Sequence, residues 1–170
     1  MKEESKKEGE EYWVMDCELP LSKNGEALLL IHNDLELGDI WSWKSRTHFD
    51  AEEAVFSLPI LIEFERRRGY QGSPVELLDV GVPIMSDRLY KVLLEAGVTS
   101  LDVYPASLVE KSSRETYLYF AYNIVGGDQK LFRLEENVNA IMVSQHIKNY
   151  IESKHIDTLQ FIAPKDYVQL

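Results

Sequence analysis

Disulfides are excluded at once: Cys17 is the only cysteine in 170 residues, so no intramolecular bridge can form and the small oxidised secreted scaffolds fall away. Breakers are also few, with 9 Gly and 6 Pro, which excludes collagen-like and linker-like chains. No run of about 18 apolar residues occurs, so no transmembrane helix is expected. The densest stretch, Ala27-Leu28-Leu29-Leu30-Ile31, suits a buried strand. Positive charge is short as well. Lys plus Arg is 18 against 29 for Asp plus Glu, and a net charge of -11 repels the phosphate backbone that supplies most nucleic-acid affinity. Residues 1–11 are Lys, Glu, Ser and Gly without an apolar core, neither signal peptide nor anchor, and are expected to form a disordered tail on a cytoplasmic protein.

What remains is globular: 45% hydrophobic and 28% charged residues, in a chain long enough to bury roughly 70% of its unfolded surface in one core. A single α+β domain over residues 12–170 is expected. Its charge is uneven. Residues 1–11 carry 3 basic against 5 acidic groups and residues 12–63 carry 3 against 10, so the first 63 residues hold -9 of the total -11. This asymmetry is ordinary solubilising charge or an acidic face that attracts a basic protein and speeds encounter.

The pattern along the chain favours strands. Tyr12-Trp13-Val14-Met15 and the apolar run at 27–31 flank Ser22-Lys23-Asn24-Gly25, an Asn-Gly turn signal, which predicts a strand, turn, strand unit. Residues 33–49 turn polar and predict an irregular connection, followed by a short helix that Asp50 can cap. Residues 58–64 predict a strand, residues 66–72 a loop, and residues 74–80 a short strand or connector. Aromatics alternate at period two in Tyr117-Leu118-Tyr119-Phe120-Ala121-Tyr122-Asn123 before Gly126-Gly127, predicting a strand whose hairpin partner is Lys130-Leu131-Phe132-Arg133-Leu134.

A helix, turn, strand unit occurs twice. Ser86 can cap a helix with Leu89, Val92, Leu93 and Ala96 on one face, Gly97 ends it, and Val98, Leu101 and Val103 lead into a strand. With Ser144 placed on Ser86, 58 positions apart, Ile147, Tyr150, Ile151, Ile156, Leu159 and Phe161 fall on Leu89, Val92, Leu93, Val98, Leu101 and Val103. Ile-Met pairs, Ile84-Met85 and Ile141-Met142, introduce the copies. The expected fold is therefore a mostly antiparallel sheet with two amphipathic helices, over residues 86–96 and 144–154, packed on one side. The acidic part is residues 12–63; the repeats lie in residues 64–170.

Chemical motifs are sparse. His32, His48, His146 and His155 include no pair at the i, i+4 spacing of helix-borne metal ligands, and the acidic run near His32 lacks the Gly and closing Glu of a calcium loop. Neither the spaced glycines of a dinucleotide site nor a phosphate-cradling loop occurs. Cys17 stands between Asp16 and Glu18, which would raise a thiol's pKa. No metal, cofactor or catalytic residue is expected. The binding candidates are Trp41 and Trp43, which on a strand would share a face, with the acidic groups Asp34, Glu36, Asp39, Asp50, Glu52 and Glu53 around them. Core aromatics would read the same way. Arg66-Arg67-Arg68 beside Glu63 and Glu65 reads as a solvated, self-neutralised edge.

The order Leu78-Asp79, Pro83-Ile84-Met85-Ser86, Gly97-Val98, Tyr104-Pro105-Ala106, Tyr122-Asn123-Ile124-Val125, Leu131-Phe132-Arg133-Leu134 and Ile141-Met142-Val143-Ser144 resembles a family of bacterial polymorphic-toxin immunity proteins, mainly over residues 75–165. His155 and Thr158 stand where glycines would be expected in that family, and residues 123–131 are shorter. The resemblance implies a cytoplasmic antitoxin without cofactor or catalytic residues, whose partner is a cognate toxin protein rather than nucleic acid or membrane. The competing expectation is an enzyme or small-molecule-binding domain with a pocket assembled from Asp79, Tyr104, Tyr119 and Arg133.

Overall fold

The structure, a computed structural model, describes residues 11–32, 59–79, 81–126, 128–134 and 140–167. Asp34, Glu36, Asp39, Trp41, Trp43, Asp50, Glu52 and Glu53, the connection at 33–49, the helix expected after Asp50 and nearly all of the tail lie outside the described residues.

The fold is α+β; the described residues hold two helices, α1 (Asp87–Glu95) and α2 (Gln145–Ser153), and strand pairing that is antiparallel at all but one of their junctions. The strands form two sheets where a single one was expected. One holds β10 (Leu159–Ile162), β1 (Tyr12–Cys17), β9 (Ile141–Ser144) and β8 (Leu131–Arg133), in that order. The other runs β2 (Leu29–His32), β3 (Ile60–Arg66), β6 (Leu101–Glu110), β7 (Thr116–Ile124), β5 (Ile84–Ser86), β4 (Leu77–Leu78), with β3 and β6 parallel. Among the described residues no helix is long and apolar enough to cross a membrane.

The repeat extends well beyond its two helices. Ser86 Oγ accepts from the Leu89 N–H at 3.0 Å and Ser144 Oγ from the Ile147 N–H at 3.3 Å, so both serines cap as their spacing predicts. Leu89, Leu93, Ile147 and Ile151 are fully buried in one core that both helices share with residues of both sheets. Each helix follows a strand (β5 or β9) and leads into a second (β6 or β10), and an antiparallel strand lies between those two: β7 in the first copy, β1 in the second. Outside β5 and β9 run β4 and β8. The ladders agree residue by residue. Ser86 faces Tyr119 as Ser144 faces Tyr12, Leu101 faces Ile124 as Leu159 faces Cys17, and Leu77 faces Met85 as Leu131 faces Val143. Val125 N–H to Ser100 carbonyl and Glu18 N–H to Thr158 carbonyl, equivalent bonds, both measure 2.8 Å. In this register Met85 corresponds to Val143, so the two Ile-Met pairs are one position out of step; the capping serines set the alignment.

Contacts between the copies are reciprocal. β1 touches β4, its equivalent β7 touches β8, and α1 packs on α2. Such isologous contact is the mark of a two-fold relation, here within one chain.

Two expected pairings change. Residues 130–134 do not form a hairpin with β7, whose neighbours are β6 and β5; β8 pairs with β9 in the other sheet. The chain leaves β7 and is anchored at the α1–β6 corner, where Ser100 Oγ donates to the Leu131 carbonyl at 2.6 Å and Asp128 accepts from the Thr99 N–H at 2.7 Å. The Asn24-Gly25 turn is present, with Gly25 at φ 78°, but it closes only a Leu21–Ala27 bridge; β1 and β2 belong to different sheets.

The helix C-termini differ informatively. Gly97 follows α1 at φ 88°, and the equivalent His155 holds φ 57°, a conformation that costs a residue bearing a Cβ about 1–2 kcal/mol. Substituting His155→Gly should therefore raise the unfolding free energy by about 0.5–1 kcal/mol once glycine's greater chain entropy is offset, measurable by urea denaturation. A net loss would show that the imidazole makes a contact outweighing the strain.

Candidate binding groove

The four residues expected to assemble a pocket divide into separate environments. Asp79 and Arg133 do meet: Arg133 Nη1 donates to Asp79 Oδ2 at 2.8 Å and Nη2 to Oδ1 at 2.6 Å, and Tyr122 Oη donates to Oδ1 at 2.8 Å. Tyr119 instead donates to the Val75 carbonyl at 2.6 Å, and Tyr104 to Asp102 Oδ2 at 2.9 Å. Strand alternation explains the split. Tyr122 points into the helix-bearing core, whereas Tyr119, three positions earlier, and Tyr104 on β6 pack on the opposite core. Asp79 and Arg133 are equivalent positions of the two copies, so their pair straddles the internal two-fold and ties the copies together. Burial, then the Asp79 charge, pushes the Tyr122 hydroxyl's pKa well up, keeping it a donor.

The arginine run is also divided by the fold. Arg66 lies on β3, held by Glu110, by Tyr117 Oη at 2.9 Å and by the Gly72 carbonyl, which accepts from Nε at 2.9 Å. Arg68 pairs with Glu26. The expected solvated edge, neutralised by Glu63 and Glu65, is therefore corrected: the Arg66 side chain is only 14% exposed, and both arginines find their carboxylates far away in sequence. Glu63 pairs with Arg114 and Glu65 with His32 and Lys111. The hydrogen bond from Arg66 holds the Glu110 carboxyl below its ordinary range. Cys17 has a raised pKa, but the first cause is burial rather than Asp16 or Glu18. Among the described residues no cluster of three or more His, Cys, Asp or Glu could hold a metal ion.

An open groove of about 580 Å³ lies where the segment after β1, the chain leading into β4, the start of α1 and the α2–β10 turn converge. The local reasons are simple. Glu18 donates its N–H to Thr158, ending the β1–β10 ladder, and the Pro20 carbonyl accepts from the Leu28 N–H at 3.1 Å, so Leu19 and Leu21 are left 50% and 57% exposed. Pro74, Val75 and Tyr70 continue the apolar lining. The edge is acidic, with Glu18, Glu76 and Asp157 against one permanent cation, Arg88. That cation is engaged: Glu76, only 7% exposed, takes Arg88 on one oxygen and the hydroxyl of Ser86 on the other.

No protein-family model matches this chain, and no curated protein matches it either. The groove residues went unnoticed in the sequence because each is unremarkable alone and they come from four separate segments. One signal is present in the sequence: the apolar pair Leu19 and Leu21 flanks a proline between a strand and an Asn-Gly turn.

Proposed function

We propose that this protein is a non-catalytic immunity protein, an antitoxin that binds and neutralises a cognate basic toxin in the bacterial cytoplasm, without a cofactor. The observation that carries this reading is the charge asymmetry, -9 of -11 within residues 1–63, of which Glu18 lies at the groove edge. An acidic surface beside exposed leucines can cover a basic partner with electrostatic steering and apolar anchorage, and no chemistry of its own is required. The resemblance over residues 75–165 points the same way. The pocket alternative draws little support, since Tyr104 and Tyr119 face away from the Asp79–Arg133 pair.

The test is co-expression with the product of the neighbouring toxin gene, followed by binding kinetics. Reversing Asp34, Glu36, Asp39, Asp50, Glu52 and Glu53 to Lys should slow association about tenfold or more and leave the fold intact. Raising salt to about 1 M, where the screening length is about 3 Å, should do the same. Dissociation should respond instead to Trp41→Ala and Trp43→Ala. An association rate indifferent to both salt and charge would remove the electrostatic basis.

A further inference from the structure

The internal two-fold allows the groove to be compared with its own equivalent in the other copy. At the end of α1, Lys130 Nζ donates to the Gly97 carbonyl at 3.0 Å. Next to it, Asp128 Oδ2 accepts from the N–H and hydroxyl of Thr99 at 2.7 and 3.2 Å. An ammonium and a carboxylate of the chain itself therefore close that corner. At the end of α2, Gly97 and Thr99 correspond to His155 and Asp157. The β4–β8 register carries Lys130 onto Glu76 and Asp128 onto Pro74, and the bonds from Ser86 N–H to the Glu76 carbonyl and from Ser144 N–H to the Lys130 carbonyl, 2.9 and 3.0 Å, confirm it. The closing cation has thus become a carboxylate, and that carboxylate turns to Ser86 and Arg88. The corner stays open as the groove.

Its electrostatics favour a cation from outside. The last-turn carbonyls of α2 present the negative end of the helix dipole, and no basic residue lies in that turn. Lys154, just beyond, reaches to Glu95 at 3.7 Å. Glu18 and Asp157 form no ion pair among the described residues. Leu19 and Leu21, which line the same groove, offer exposed apolar surface for an alkyl stem.

We infer that this groove binds a lysine or arginine side chain flanked by an apolar residue, presented by the protein partner, and that the partner's cation takes the place that Lys130 fills in the other copy. Arginine suits it better, because its planar guanidinium is weakly hydrated and carries five donors for the carboxylates of the groove edge while its stem lies on the leucines. The inference rests on the antitoxin reading only for the identity of the partner.

The test uses the full chain and a synthetic acetyl-Leu-Arg-Leu-amide peptide, with acetyl-Leu-Glu-Leu-amide as the control. Amide resonances of Leu19, Leu21, Asp157 and Thr158 should shift on titration with the arginine peptide and stay unmoved with the glutamate peptide. Glu18→Gln with Asp157→Asn should weaken the arginine peptide about tenfold or more, which the conservative amides allow without refolding the site. Shifts that are absent, scattered over the surface, or insensitive to these substitutions would overturn the groove assignment. The toxin distinguishes the two readings: peptide binding in the groove without any toxin complex would remove the antitoxin reading alone. A toxin complex that E18Q/D157N leaves unchanged, together with a silent peptide titration, would remove the groove alone.

Discussion

Replacing Arg133 with Met should lower the unfolding free energy by about 3–5 kcal/mol, the range for breaking a buried ion pair from one side. Arg133 has a side chain only 3% exposed and Asp79 one 17% exposed, so the remaining carboxylate would lose its cation in a site that water reaches poorly. Burial works against the Arg133 charge, yet the hydrogen bonds and charge of Asp79 outweigh it and hold the guanidinium's pKa above its usual value. The position adds to the effect, because the pair joins equivalent points of the two copies and its loss loosens both. Urea denaturation of R133M, D79L and the double variant forms the appropriate cycle. The double variant should recover only part of the loss, since it removes the Asp79 and Arg133 charges together but leaves the buried Tyr122 hydroxyl without its Asp79 acceptor. A loss below about 1 kcal/mol for R133M would mean the pair is peripheral to the fold.

Truncating Leu93 or Ile151 to Ala should cost about 2–5 kcal/mol each, the lost transfer free energy plus that of the cavity left behind. Both are fully buried in the core where α1 meets α2, and they are equivalent across the two-fold. Because the helices touch, the two cavities lie within one packed region, and the double variant should depart from additivity by about 0.5 kcal/mol or more. Chemical denaturation measures all three. Losses under about 1 kcal/mol for both single variants would contradict the shared core.

Periodicity carried the helices and most strands. A capping serine followed by apolar residues at helical spacing specifies α1 and α2 locally, and the alternation at 117–123 specifies β7, because a cap bond or a strand's two faces depend on neighbours a few positions away. The 58-residue offset was legible for the same reason. The companion strand was not: β1 reads Tyr12-Trp13-Val14-Met15-Asp16-Cys17 against Tyr119-Phe120-Ala121-Tyr122-Asn123-Ile124 in β7, and little beyond an aromatic start links them. A strand between two others is selected by ladder register and by the core beneath it, and many sequences satisfy both.

The site followed a similar division. Acidity, a lone cysteine and the absence of any metal or phosphate motif are properties of the chain, legible without coordinates. The departure at His155 from the glycine expected there was also visible, and its positive φ gives that departure a structural meaning. Which charges neutralise one another was decided in three dimensions: Asp79 met Arg133 across 54 positions, Arg66 met Glu110 across 44, and Glu76 turned to Ser86 and Arg88. A charge pairs with whatever opposite charge the fold brings within a few ångströms, and sequence separation has no bearing on that distance. For that reason composition and local pattern suffice for the acidic α+β character and the doubled helix unit, whereas the division into two sheets, the tie on the two-fold and the open corner at His155 depend on tertiary packing.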